Sequence, residues 1–330
     1  MSIKAKRDFT KVGLTFFVFF LVMGFGYDLV KYLVNHVVNF LYDTAVVVDK
    51  ISMTNQYIIS KIGYYILLYL IGGGIVHSLL SNKNKIEVTN KKIGYILGSW
   101  TMITTVSVGA YILCLYMATN IREMMGSEAV RMASPMIANE NIWVVIFGSL
   151  VFAPIFEELI FRKWLISAIY KYGEKAAVFT SGLLYGLFFK DIQLFLPNLV
   201  VGCMLAYVFL RTGKVIYCIG IHFLVNLTQV GIKYLMTTPE MLKIIGLEND
   251  KREAYLMSNP YFATALIIMG ASLAIIAIIG IVCLIKGMFT VKFYRTEDYI
   301  SLKKILPIAY KNIGMGLCFI LYIGLILGFA

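Results

Sequence analysis

Two adjacent carboxylates sit at the end of an apolar run, where they could support acid–base chemistry. Glu157 is followed directly by Glu158, and Arg162 comes four residues after Glu158. On a helix this spacing lets Arg162 neutralise Glu158, and it leaves Glu157 about 100° away around the axis, free for other work. A carboxylate held away from water can act as a general base, because desolvation raises its affinity for a proton.

A second polar pair, His222 and Asn226, is one helical turn apart in the later apolar stretch "GIHFLVNLTQ". The two side chains share one face of the helix, at a depth similar to that of Glu157, which makes the pair a candidate for a functional site. Simpler interpretations stay open: Glu158 and Arg162 can form an interfacial salt bridge at a helix end, and a lone buried histidine is often structural. Ionisable residues inside membrane spans are costly, which favours a functional site.

Membrane helices must position these residues. The chain has 330 residues, 60% of them hydrophobic, with a mean hydropathy of +0.81. We expect an all-α, polytopic integral membrane helical bundle with about eight or nine transmembrane helices, because helices satisfy their own backbone groups in lipid. The apolar runs lie near 13–30, 57–80, 93–120, 142–161, 176–189, 194–210, 215–235, 262–285 and 312–330.

Three stretches allow alternatives. Run 176–189 is short for a span and run 194–210 contains Pro197, so the two could form a bent pair buried among the other helices. Segment 31–42 could extend the first helix or lie along the membrane surface. The basic start of the chain looks like a secretory signal, but Asp28 follows with no small-residue cleavage site, which favours an uncleaved first span.

The formal charge of +12 comes from Lys and Arg residues in short loops between apolar runs. This distribution is typical of the cytoplasmic loops of membrane proteins and argues against a nucleic-acid partner. Loops 43–56 and 121–141 are poorer in these residues, so the alternation predicts a cytoplasmic N-terminus and an extracytoplasmic C-terminus in the cell (plasma) membrane. The five cysteines all lie inside apolar runs without paired spacing, which indicates free thiols.

The order of these motifs resembles the CAAX protease and bacteriocin-processing family (CPBP, or Abi) of intramembrane proteases. That family carries Glu-Glu-x-x-x-Arg on one helix, Phe-x-x-x-His on the next, and His-x-x-x-Asn or Asp two helices later. The first motif matches Glu157, Glu158 and Arg162, and the third matches His222 and Asn226. The connecting text "SGLLYGLFF" and "LRTGKVIYCIGIH" is also similar to the family.

The resemblance divides the chain into three parts. A CPBP-like core covers 142–232, N-terminal transmembrane helices occupy 1–141, and an extracytoplasmic loop with C-terminal transmembrane helices occupies 233–330. We see no soluble domain and no internal repeat.

The middle motif departs from the family pattern. Tyr185 falls at the aromatic position and Phe189 stands where the histidine is expected. Lys190 and Asp191 are adjacent, but on a continuous helix they point elsewhere. We predict that Phe189 faces the site and fills the space of the imidazole.

The resemblance implies hydrolysis of peptide bonds in membrane-associated or lipidated peptides. In the implied roles Glu157 activates water, His222 and Asn226 stabilise the oxyanion, and Glu158 with Arg162 shapes the site. This glutamate-dependent mechanism requires no cofactor, and the sequence leaves a metal ion open. The expected partners are the lipid bilayer and a membrane-associated peptide or protein, without nucleic acid.

The missing histidine leaves two hypotheses. A positioned acid–base partner is typically worth about 10²–10⁴ in rate, so the protein could be a CAAX-protease-like endopeptidase of reduced activity. It could instead be a pseudoprotease that acts as a membrane scaffold or as a regulator of a partner, for example in bacteriocin immunity. A transporter or channel is disfavoured because the polar residues cluster near one depth.

Overall fold

The computed structural model describes residues 2–44, 52–81, 86–125, 141–189 and 191–326. These residues form helices and connecting segments, with no strand among them. The helices, numbered α1 to α12 in chain order, are Ser2–Asp43, Met53–Leu80, Ile93–Met125, Ile142–Tyr172, Glu174–Phe188, Ile192–Thr212, Val215–Met236, Pro239–Gly246, Asn249–Ser258, Pro260–Thr290, Leu302–Tyr310 and Ile313–Ile326.

The protein is an all-α, polytopic integral membrane protein. Among the described residues, seven helices are long and apolar enough to cross a membrane, and α11 with α12, bent by 64°, count as an eighth if the pair is one span. The short run predicted near 176–189 forms α5, which has only 15 residues and buries most of them in the protein. A bilayer needs about 20 residues of helix, which is why α5 is not among the candidate spans.

Segment 31–42 belongs to α1, which is one uninterrupted helix over Ser2–Asp43. The first of the two alternatives for this segment is therefore confirmed. Lys190 and most of the predicted loop 121–141 lie outside the described residues.

The chain divides into two compact units, the first of which comprises Met1–Asn90, Asn141–Ile219 and Lys292–Ala330. Its core is rich in aromatic rings from α1, α4 and α5. The ring of Phe16 lies 5.4 Å from that of Phe161, and Phe19 stacks on Phe188 at 5.6 Å. Gly13 of α1 approaches the backbone of α12 so closely that a Cβ atom there would collide. Small residues allow such close contact between membrane helices.

The second unit comprises Lys91–Glu140 and Gly220–Val291. Within it, α3 and α10 pack at Gly280, where a Cβ atom would collide with Thr105. The Thr105 hydroxyl also lies 3.3 Å from the Ile276 carbonyl oxygen, which links the two helices. The boundary between the units falls inside α7, so His222 and Asn226 belong to the second unit.

Candidate active site

Helix α4 carries Glu157, Glu158 and Arg162 on a segment with π-helical geometry. The stretches Ile146–Glu157 and Leu159–Trp164 are both π-helical, with wider turns than an α-helix. The predicted angle of about 100° between Glu157 and Glu158 applies to an α-helix. A π-helical turn contains more residues, so the angle between neighbouring side chains is smaller than predicted. In other proteins π-helical turns are frequent at functional sites.

Glu158 and Arg162 form a fully buried ion pair. The Arg162 Nε atom lies 3.0 Å from the Glu158 Oε2 atom, and both side chains are 0% exposed. The guanidinium also lies over the ring of Tyr185, 4.6 Å from its centroid, so a cation–π contact supports the arginine. The ion pair expected from the four-residue spacing is therefore present, and it occupies Glu158.

Glu157 is held by a tyrosine from a distant part of the chain. The Tyr69 hydroxyl donates a hydrogen bond of 2.8 Å to the Glu157 Oε1 atom. Both residues are buried, with exposed fractions of 4% and 3%. The Tyr185 hydroxyl of α5 is a second hydrogen-bond partner of this carboxylate. Side chains from α2 and α5 thus fix the orientation of Glu157.

Stacked aromatic rings hold Tyr69 in place. Its ring is nearly parallel to that of Phe156, with centroids 5.4 Å apart and an angle of 16°. Tyr65 and Phe152 extend the stack at centroid distances of 6.3 and 6.5 Å from Tyr69. We call these four residues the aromatic stack. Because α2 and α4 each contribute two of its rings, the stack ties the Tyr69 hydroxyl to the helix that carries Glu157.

Helix α5 presents Tyr185 through close contacts with α4 and α6. The Ser181 hydroxyl, one turn before Tyr185, donates a hydrogen bond of 2.9 Å to the Phe161 carbonyl of α4. On the other side, a Cβ atom at Gly182 would collide with Cys203 of α6. These contacts position the Tyr185 ring next to the ion pair of Glu158 and Arg162.

Phe189 lies directly after the end of α5 at Phe188, close to the end of the predicted run 176–189. The direction that a continuous helix would give Asp191 does not apply, because Asp191 caps α6 by accepting from the backbone N–H of Gln193 at 2.7 Å. The Phe189 ring packs edge-on against Tyr185, with centroids 5.3 Å apart. Phe189 therefore contacts the tyrosine that bonds Glu157. That it lines the same cavity stays a prediction.

His222 is buried, 2% exposed, and Asn226 one turn later on α7 is half-buried. Their approach to Glu157 stays a prediction, because these two residues belong to the second unit. Among the described residues, no group of three or more His, Cys, Asp and Glu side chains is arranged to hold a metal ion.

Sequence reasoning missed Tyr69, which lies outside the predicted core of 142–232. A signal was present, since Tyr65 and Tyr69 place two hydroxyl groups one turn apart inside an apolar run. A phenol in a span needs a hydrogen-bond partner, and a buried carboxylate is a strong one.

Residues 139–228 match the family model described as Rce1-like, type II CAAX prenyl endopeptidase Rce1-like. The match supports a CAAX-protease-like core. It includes Glu157, Glu158, Arg162, His222 and Asn226 and covers less than half of the chain. No curated protein and no solved structure matches the chain.

Proposed function

We propose that this protein is an intramembrane endopeptidase that hydrolyses peptide bonds in membrane-associated or lipidated peptides. One observation carries the proposal: a buried glutamate, held by a tyrosine hydroxyl at 2.8 Å, stands next to a buried carboxylate that is already paired with arginine. The family match over 139–228 supports the same reaction class.

The two adjacent carboxylates have different environments, and this difference assigns their roles. Glu158 is neutralised by Arg162, so its charge is balanced inside the protein. Glu157 accepts hydrogen bonds from phenols, which orient the carboxylate. Pairs of titratable groups in contrasting environments commonly divide the work of a site in this way. Glu157 is therefore our general base.

The reaction follows from these assignments. Glu157 accepts a proton from water, and the resulting hydroxide attacks the carbonyl carbon of the scissile peptide bond. His222 and Asn226 donate hydrogen bonds to the oxyanion of the tetrahedral intermediate. The intermediate collapses when the C–N bond breaks, and Glu157 returns its proton to the leaving amine. The hydroxide of the water thus ends in the new carboxyl group, and its proton ends on the new amine.

Tyr69 takes over part of the work that an imidazole would do at Phe189. A phenylalanine ring cannot hydrogen-bond to water or to a carboxylate, so Phe189 cannot orient the base. The Tyr69 hydroxyl instead reaches Glu157 from α2 and holds the carboxylate there. We propose Tyr69 and Tyr185 as positioning residues of this site.

The test uses the full-length protein in lipid vesicles with a prenylated peptide that ends in a C-a-a-X sequence. The new C-terminus is identified by mass spectrometry. We expect cleavage by the wild type and loss of cleavage in Glu157→Gln, which keeps the shape of the side chain but removes its basicity. Glu248→Gln is the matched control, because Glu248 is 74% exposed and pairs with a nearby lysine, Lys251.

The two variants are compared at equal amounts of protein in the membrane. If Glu157→Gln cleaves as fast as the wild type, Glu157 is not the base and the proposal is overturned. If the wild type cleaves no prenylated or unprenylated peptide while Glu157→Gln keeps the cellular phenotype of the wild type, the protein acts as a scaffold.

A further inference from the structure

A groove of about 670 Å³ runs along the first turns of α1 and reaches α2 at Leu79. It lies wholly within the first compact unit, on the surface of the described helices. Three cations line it, Lys6, Arg7 and Lys11, together with the apolar side chains of Leu14 and Val18. No Asp or Glu is among its lining residues.

The charged and apolar parts of the groove follow one another along α1. Lys11 is the last charged residue before an apolar run that continues to Asp28. Leu14 and Val18 come next on the same face, and Val18 lies roughly 10 Å along the axis from Lys11, at a rise of about 1.5 Å per residue. Leu14, Val18 and Leu79 are each exposed by roughly two fifths, at 43%, 39% and 41%. The groove is therefore cationic at the N-terminal end of α1 and apolar further along the helix, where the membrane-spanning run begins.

Two of the three cations in the groove, Lys6 and Lys11, are not neutralised by the protein. The acids at this end of α1 are engaged by other residues: Asp8 accepts a hydrogen bond of 2.7 Å from Tyr172, pairs with Lys171 at 2.8 Å and also interacts with the charge of Arg7. The Asp298 Oδ2 atom lies 4.0 Å from the Lys4 Nζ atom. No salt bridge joins Lys6 or Lys11 to another of the described residues. An anion from outside the protein can therefore approach them without displacing an internal carboxylate.

We propose that this groove binds one anionic glycerophospholipid of the surrounding bilayer. Its phosphate lies on Lys6, Arg7 and Lys11, and one acyl chain lies against Leu14, Val18 and Leu79. Amine and guanidinium groups bind phosphate through charge-assisted hydrogen bonds. The order of charge and apolar surface in the groove matches the order of headgroup and acyl chain in such a lipid.

The bound lipid supports the core of the first unit. The opposite face of the same helix turns carries Phe16 and Phe19, which pack against Phe161 of α4 and Phe188 of α5. A lipid that immobilises the start of α1 therefore also stabilises the aromatic contacts beside the ion pair. This inference stands on the groove and is independent of the proposed protease reaction.

The experiment reconstitutes the full-length protein in phosphatidylcholine vesicles that contain a minor share of phosphatidylglycerol. Native mass spectrometry then measures which lipid stays bound. Each basic residue near a lipid phosphate is worth about fivefold in affinity, so Lys6→Gln with Lys11→Gln should weaken retention of phosphatidylglycerol roughly 25-fold. The pair Lys303→Gln with Lys304→Gln makes the same charge change at exposed positions outside the groove.

A second variant tests the apolar part without changing the charge. Val18→Phe should fill the groove and reduce retention of phosphatidylglycerol, whereas Leu29→Phe, at another exposed position of α1, should not. Equal thermal unfolding temperatures in detergent show that Val18→Phe is folded; if it is not, Val18→Leu takes its place and should give a smaller loss.

Retention of phosphatidylglycerol over phosphatidylcholine that is lost in both groove variants supports the proposal. Equal retention of the two lipids by the wild type overturns it. So does competition by free glycerol phosphate as effective as by the lipid, since the site would then recognise a soluble phosphate. Displacement by a prenylated peptide would assign the groove to a substrate and would also overturn it.

Discussion

The Tyr69→Phe variant tests the hydrogen bond that orients the proposed base. The substitution removes one oxygen atom and keeps the ring, so the stacking on Phe156 at 5.4 Å is preserved. What disappears is the 2.8 Å hydrogen bond to the Glu157 Oε1 atom. The variant thus separates the role of the hydroxyl from the role of the ring.

The size of the effect follows from the kind of bond that is lost. A hydrogen bond to a charged group contributes about 1.5–3 kcal/mol. If the bond is needed to aim the carboxylate in the transition state, that energy corresponds to a loss of roughly tenfold to hundredfold in kcat/KM. Tyr185 still bonds the same carboxylate, so we expect the lower part of this range. The cost in folding stability should be about 1–3 kcal/mol, because the buried carboxylate loses a hydrogen-bond donor.

The assay is cleavage of the prenylated peptide in vesicles, with kcat and KM measured separately. Tyr64→Phe is the matched control, because the Tyr64 hydroxyl donates a hydrogen bond of 3.1 Å to the Met23 carbonyl on the neighbouring helix. Both variants lose one tyrosine hydroxyl from α2, but only Tyr69→Phe changes a bond to Glu157. We expect a lower kcat for Tyr69→Phe and an unchanged kcat for Tyr64→Phe.

The reasoning would be refuted if Tyr69→Phe kept the kcat of the wild type. It would also be refuted if both variants lost activity in proportion to their loss of stability, because the hydroxyl would then serve only folding. A combined Tyr69→Phe and Glu157→Gln variant should be no slower than Glu157→Gln alone, since the hydroxyl acts through the carboxylate.

Three further predictions concern the ion pair, the packing of α5 and the missing histidine. Arg162→Met should destabilise the protein by about 3–5 kcal/mol, because it removes the arginine that pairs with the buried Glu158. Adding Glu158→Gln should restore most of the lost stability, and thermal unfolding in detergent measures both variants. No recovery in the double variant would contradict the role of the ion pair. Gly182→Ala should lower the folding stability by about 1–3 kcal/mol, because the added Cβ atom overpacks against α6. Gly270→Ala, where a Cβ atom meets open space, should be neutral or slightly stabilising by the same measurement. Equal effects of the two substitutions would show that α5 and α6 can separate freely. Phe189→His should preserve or raise kcat for the peptide, because an imidazole there can supply the acid–base partner that the sequence lacks, and a fall in kcat at normal expression would argue that this position does not face the site.

The sequence was sufficient for features that depend on neighbours along the chain. Long apolar runs predicted membrane helices because an unpaired backbone group is too costly in lipid, and the described part of the chain contains seven or eight candidate spans. The pairing of Glu158 with Arg162 followed from four-residue spacing on one helix, which brings two side chains together whatever the rest of the fold does. The family match over 139–228 also supports the resemblance that the local motifs suggested.

Tertiary structure decided which side chains surround Glu157. Tyr69 reaches it across 88 residues of sequence, because packing of α2 against α4 brings the aromatic stack to that point. The π-helical turns of α4 were also beyond sequence reasoning. Hydrophobic periodicity shows which residues are apolar and in what order, but the width of a helical turn depends on what the helix packs against. For that reason the sequence could identify the carboxylates, and only the folded chain could show what holds one of them in place.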